Sequence, residues 1–146
     1  MYSSHLLSLC DSLLSEGRIK FLLSMGIVSR IENDEYKIVA ISSQSGIFAP
    51  GQSFKLMDTH CRDVYEKRKT IAITELDGCN GLQKHPLYKA LPLEAYISSP
   101  ILVNDEVWGT INFSSMILRP NGFSKEDIQF NEDAANKISI DIFDYA

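Results

Sequence analysis

A chain of 146 residues, 45% hydrophobic and 23% charged, is long enough to bury one core and lies outside the composition of disordered chains. A net charge of -5 and a pI near 5.1 argue against a nucleic acid partner, and no apolar run approaches the roughly 20 residues of a membrane helix. Three cysteines, an odd and small number, fit a reducing compartment better than a disulfide framework, so one cytoplasmic domain over residues 1–146 is expected.

From Ser3 to about Glu16, Leu6, Leu9, Cys10 and Leu13 recur at spacings of three and four, with Leu7 and Leu14 beside them. That pattern predicts an amphipathic helix with a broad apolar face. Gly17 is a point where the helix can break. Continuation to Met25 is the expectation, with Phe21-Leu22-Leu23 too short an apolar run to separate helix from strand.

Gly26 to Ile31 and Tyr36 to Ser42 then read as two strands joined across Glu32-Asn33-Asp34-Glu35, residues tolerant of a tight hairpin turn. Ser43 to Gln52, with Gly46, Pro50 and Gly51, reads as a loop, and Ser53 to Leu56 as a short strand. Asp58 or Thr59 caps a helix predicted to reach about Lys69, with Cys61, Val64, Tyr65 and the stem of Arg68 on one face. Lys67-Arg68-Lys69 falls where cations complement the helix dipole and reads as a solvated helix end.

Ile71 to Thr74 is a predicted strand. Glu75 to Pro92 is the longest irregular stretch, with a short helix expected from Pro86 to Ala90; such a segment is usually a lid or a binding loop. Glu94 to Ser115 reads as a second hairpin, with Asn104-Asp105 in the turn. Ile97, Ile101 and Val103 share one parity, and so do Val107, Ile111 and Phe113; Trp108, Thr110, Asn112 and Ser114 make a mixed face that lines a cavity or meets water. Gly109 leaves room for a bulge or a close neighbour. Ser124 and Asp127 form a capping box for a last helix to about Phe143, with Ile128, Ala135, Ile138 and Ile142 on one stripe and Phe130, Ala134 and Ile140 beside it.

The segments Ala95-Tyr96-Ile97-Ser98-Ser99-Pro100-Ile101 and Val107-Trp108-Gly109-Thr110-Ile111-Asn112-Phe113-Ser114-Ser115 carry a resemblance over nearly the whole chain. With His85-Pro86 upstream and Phe123-Ser124 and Asp127 downstream, the chain resembles the GAF domain family of small-molecule sensor modules in bacterial signalling proteins. The resemblance implies an α+β fold: an antiparallel central sheet of about six strands, flanked by the N- and C-terminal helices and by short helices over the other face. It implies a regulatory role and not an enzyme. A small molecule, unidentified, would sit between the sheet and the segments Thr59 to Tyr65 and Glu75 to Tyr96. Thr59, Cys61, Tyr65, His85, Tyr88, Tyr96 and Ser98 are the candidate contacts. A homodimer through the terminal helices would pass the signal to an output domain or partner protein. The alternatives are a ligand-free dimerisation module and a thiol-dependent redox enzyme using Cys61 and Cys79.

Each candidate carries a plainer reading as well. Cys61 follows His60, but neighbouring helix residues point about 100° apart, so the two do not make a dyad, and a small buried thiol is the simpler role. In some bilin-binding relatives a cysteine near this helix attaches the chromophore, usually with a histidine following it; here Arg62 follows Cys61. His85 either contacts ligand or caps the helix that Pro86 opens. Tyr96 either presents its hydroxyl to the cavity or is core with a wet tip. No C-x-x-C or H-x-x-x-H pair exists for a metal, and Gly78-x-x-Gly81 lacks the lysine and strand-to-helix setting of a phosphate loop.

Overall fold

In the computed structural model, residues 2–43, 46, 48–56, 62–74, 95–115 and 122–145 are described. They form helix α1 (Ser4–Phe21), strands β1 (Met25–Glu32), β2 (Glu35–Ser43) and β3 (Ser53–Lys55), helix α2 (Arg62–Lys67), strands β4 (Ile71–Thr74), β5 (Ala95–Val103) and β6 (Glu106–Ser115), and helix α3 (Lys125–Tyr145). The six strands make one antiparallel sheet in the order β3-β2-β1-β6-β5-β4. The two hairpins meet at its centre, where β1 pairs with β6.

Both hairpin turns put two consecutive residues at positive φ, Asn33 and Asp34 at 54° and 61°, Asn104 and Asp105 at 54° and 64°. Asn and Asp tolerate that region better than other side chains, and the twist of such turns matches the twist of the strands they join. The hairpin register follows from the turn chemistry.

One face of the sheet is covered by the two long helices. Leu6, Cys10, Leu13, Leu14 and Phe21 of α1 and Ala134, Ala135 and Ile138 of α3 pack with Val28, Ala40, Ile97, Ile101, Ile111 and Phe113 in one buried cluster. Ser3 caps α1, its Oγ accepting from Leu6 N at 3.0 Å. At the start of α3 the Ser124 Oγ accepts from Asp127 N and the Asp127 carboxylate accepts from Ser124 N, both at 3.0 Å. This is the reciprocal box expected from the sequence, a device worth about 1 kcal/mol. Asn131 pins α3 to the sheet, its Nδ2 donating to Ser99 Oγ at 2.9 Å and to the Ile111 carbonyl at 3.2 Å. His5 of α1 pairs with the buried carboxylate of Asp141 in α3 at 2.5 Å, so the helices are also tied to each other.

Four details differ from the sequence expectation. Helix α1 ends at Phe21 and not at Met25, because Leu22 turns left-handed (φ 57°) and the chain enters β1. Gly17 does not interrupt the helix; it is buried in it, and the ring of Phe113 occupies the space a side chain would need. A register shift between Ile101 and Leu102 leaves Trp108 without a counterpart on β5, since Ile101 pairs with Gly109 and Leu102 with Val107. That bulge moves Trp108 off the parity of Thr110 and Asn112. Trp108 packs instead against the helix-side cluster, with Arg30 over its ring at 5.0 Å and Tyr2 edge-on at 6.1 Å. Val107, parted from Ile111 and Phe113 by the same bulge, lines a cleft with Ile31 and Tyr65. Finally, Val64 of α2 is fully buried while Tyr65 and Arg68 are exposed. Successive helical residues diverge by about 100°, so aiming Val64 inward swings Tyr65 out.

Candidate functional site

Strand alternation gives the opposite sheet face its own residues. Met25, Ile27 and Ile31 of β1, Tyr36 and Ile38 of β2, Leu56, and Tyr96 of β5 form a second buried cluster, with Phe48, Phe54 and Ile73 at its margin. Through its middle runs a polar stripe. Ser29, Ser98, Thr110, Asn112 and Ser114 are all buried, although a serine or asparagine on a sheet face is ordinarily wet. Buried groups of this kind are retained where hydrogen bonds compensate their desolvation. Ser29 Oγ and Thr110 Oγ1 lie 2.7 Å apart, and Thr110 N donates to Ser29 Oγ at 3.1 Å. The Tyr36 hydroxyl and the Asn112 side-chain amide are 3.4 Å apart.

Cross-strand pairing fixes the order of this stripe. Ile27 pairs with Asn112, Asn112 with Ser98 and Ser98 with Ile71, one row across four strands. Met25, Ser114, Tyr96 and Ile73 make the next row, and Ser29, Thr110 and Pro100 the row on the other side. Among the described residues these rows carry hydroxyls and one amide and no charged side chain, so they present neutral hydrogen-bonding groups framed by aliphatic and aromatic walls.

Of the candidates drawn from the sequence, Ser98 and Tyr96 stand on this face as neighbours in the rows above, both buried. Tyr65 is 38% exposed on α2 and lines a cleft with Arg30, Ile31, Glu32 and Val107. Thr59, Cys61, His85 and Tyr88 lie outside the described residues, as do Cys79 and the expected short helix from Pro86 to Ala90. Sequence reading did not single out Tyr36, Ser29 or Ile38 for this site. Their alternation on β2 and β1 was visible, but which face of the sheet lacks the long helices is decided by packing.

Cys10 is the one cysteine among the described residues. Burial chiefly, with the carboxylates of Asp11 and Asp141 adding to it, pushes its thiol up to about 12. Below pH 9 the thiol is protonated in both folded and unfolded chains; between about 9 and 12 only the unfolded chain loses the proton, so stability falls as pH rises. The slope attributable to Cys10 is at most about 1.4 kcal/mol per pH unit. Comparing urea midpoints of the native chain and Cys10→Ala from pH 8 to 10.5 checks this, and Ellman's reagent should reach Cys10 only on unfolding. Rapid labelling of Cys10 in the folded protein at pH 8 would contradict it.

Among the described residues no helix is long and apolar enough to cross a membrane, and no group of three His, Cys, Asp or Glu side chains could hold a metal ion.

Comparison with known proteins agrees with this architecture. The model of the GAF domain matches residues 5–142. Nothing matches among curated proteins. Among solved structures, the blue-light absorbing form of the PixJ GAF domain from Thermosynechococcus elongatus superposes with a TM-score of 0.72 at 20% identity, over 95% of this chain and 88% of that one. The phycocyanobilin-bound GAF domain of a cyanobacterial phytochrome gives 0.72 at 16% identity, covering 94% and 84% of the two chains. A GAF domain region from Geobacter sulfurreducens gives 0.76 at 12% identity, covering 95% and 93%. At these identities the structures attest the shared fold, whereas the family match spans nearly every residue from α1 to α3. The chain belongs to the GAF domain family.

Proposed function

We propose that this chain is a non-enzymatic sensor domain of a cytoplasmic signalling protein. It binds a small molecule over the sheet face opposite α1 and α3, beneath the segments that contain Thr59 to Tyr65 and Glu75 to Tyr96. The observation that carries this reading is the buried, uncharged polar stripe of Ser98, Asn112, Thr110 and Ser29 within an apolar frame. Pockets for small molecules are mostly apolar with a few placed polar groups, and this stripe has that chemistry. The ligand is therefore one recognised by neutral donors and acceptors, with apolar or aromatic surface against Ile27, Ile38 and Tyr96. Occupancy would act by favouring one arrangement of the covering segments and, across the sheet, of the α1–α3 pair. A solved structure of this fold is phycocyanobilin-bound, so a tetrapyrrole, whose propionates fall outside that neutral class, is tested beside it.

Native and denaturing mass spectrometry of the purified chain tests the reading. An added non-covalent mass, lost on denaturation, is expected, and Ser98→Ala should weaken its binding about fivefold, since one hydrogen bond is worth about 1 kcal/mol. An adduct surviving denaturation would assign covalent attachment to a cysteine. A chain that never carries added mass when challenged with extracts or tetrapyrroles would sink the proposal and favour the pure dimerisation module.

A homodimer through the terminal helices belongs to the same proposal. Ile140 and Phe143, three residues apart and so on one side of α3, are 61% and 65% exposed. Light scattering at tens of micromolar should give a dimer mass, and Ile140→Asp with Phe143→Asp should return it to monomer. Monomer in the native chain would remove this part of the proposal and leave the ligand site standing.

A further inference from the structure

On the helix-covered side, away from the polar stripe, the end of α1 encloses a second feature that the sensor reading does not use. Leu22 turns the chain out of the helix, Leu23 and Ser24 lead into β1, and the ends of β2 and β6 approach from beside them. Together they bound a cleft of about 490 Å³. Arg18 stands in it. One guanidinium nitrogen, Nη1, donates to Ser42 Oγ at 2.9 Å, and Nε reaches the Leu23 carbonyl at 3.5 Å. A guanidinium has five N–H donors in a planar fork, so most remain to be offered. Among the described residues no carboxylate lies within ion-pair distance of Arg18, and none lines the cleft.

The surrounding groups fit a specific chemistry. Ser42 uses its oxygen to accept from Arg18, which leaves its hydroxyl hydrogen to donate. Ser24 and Ser115 lie on the neighbouring wall, where Ser24 Oγ donates towards the Ser114 carbonyl and Ser115 Oγ, both at 3.5 Å. The rim is apolar, with Ile19 75% exposed and Leu22 84% exposed. Leu22 also holds a left-handed φ of 57°, a conformation that glycine or asparagine adopts with less strain. Such a residue, solvent-facing and strained, contributes little to the fold at that position.

We propose that this cleft binds a small oxyanion, a carboxylate or a phosphate monoester, that carries an apolar group. The Arg18 fork would take the oxyanion, because planar bidentate recognition of these groups is what a guanidinium does well. Ser42 would donate to it, and Ile19 and Leu22 would cover the apolar part. The carbonyl end of α1 opposes an anion there, so Arg18 is indispensable and affinity is moderate. Bound ligand would bridge α1 to β2 and thereby fix the helix against the sheet.

The test is an amide and arginine-side-chain NMR titration of the full chain with benzoate, phenyl phosphate, inorganic phosphate and benzyl alcohol. Saturable shifts at Leu23, Ser24, Ser42 and Arg18 Nε are expected with benzoate or phenyl phosphate, and the better of the two identifies the oxyanion. Benzyl alcohol should give none, and Arg18→Met should abolish the response. Leu22→Gly should weaken phenyl phosphate or benzoate several-fold while raising the melting temperature, a combination that a purely structural leucine would not show. Should Arg18→Met fail to fold, Ser42→Ala, which keeps the charge, must lower affinity several-fold. Absence of saturation, shifts that persist in Arg18→Met, or inorganic phosphate binding as tightly as phenyl phosphate would each overturn the proposal.

Discussion

Gly109→Ala is expected to leave this domain unfolded or nearly so. An alanine Cβ built at Gly109 would stand 1.7 Å from the Ser29 carbonyl oxygen, 2.8 Å from its carbon and 3.2 Å from Arg30 Cα. These are backbone atoms of β1, the strand that joins the two hairpins, so no side-chain rotation relieves the overlap. Gly109 pairs with Arg30 on one side and Ile101 on the other, beside the bulge at Trp108. Relief requires β1 and β6 to part, and with them the Ser29 to Thr110 hydrogen bonds. Overpacking of a yielding core costs about 1–3 kcal/mol. A backbone clash at the sheet centre exceeds that and consumes much of a stability of about 5–15 kcal/mol. Urea denaturation followed by circular dichroism reads the result. A loss under about 1 kcal/mol would contradict the close approach of β1 to β6 at this position.

The second large effect centres on Phe113. Its ring is fully buried, and it lies over two glycines from different elements: a Cβ at Gly17 of α1 would be 2.2 Å from Phe113 Cζ, and one at Gly26 of β1 2.7 Å from Cε1. Phe21 meets the same ring edge-on at 5.2 Å. Phe113→Ala removes one of the largest fully buried side chains between α1 and the sheet and leaves a cavity floored by glycine, which has no side chain to move into it. About 3–5 kcal/mol of destabilisation is expected. Gly17→Ala raises the opposite problem. Alanine favours a helix by about 1 kcal/mol, but here its methyl meets a ring held by Phe21, so a net loss is expected. The two sites should therefore couple: Gly17→Ala in the Phe113→Leu background should cost less than in the native chain, by about 1 kcal/mol or more. Additive losses in a double-mutant cycle would show that the helix does not rest on this ring.

These two glycines show where sequence reading succeeded and where it stopped. Gly109 stood inside an alternating strand, and an unpatterned glycine there signals a bulge or a close approach; the structure has both. Gly17 followed a run of helical spacing and looked like a break. Nothing local distinguishes a glycine that ends a helix from one that admits a ring from a residue 96 positions later in the chain. The bulge likewise misled the parity of Val107 and Trp108, because one unpaired residue reverses every face assignment between it and the turn.

What the sequence by itself determined was local: the spacing that makes α1 and α3 amphipathic, the Ser124 and Asp127 cap, the Asn-Asp turns that fix both hairpin registers, and the apolar alternation of the strands. Periods of 3.6 and 2 and turn chemistry act over a few residues, so they are legible without a fold. The tertiary structure decided the rest. It joined the hairpins through β1 and β6, put both long helices on one sheet face, and so left Ser98, Asn112, Thr110 and Ser29 buried together on the other. It also placed Arg18 across from Ser42, 24 residues away. Contacts of that kind follow from how burial is shared among distant elements, and no window of neighbouring residues contains the terms that set them.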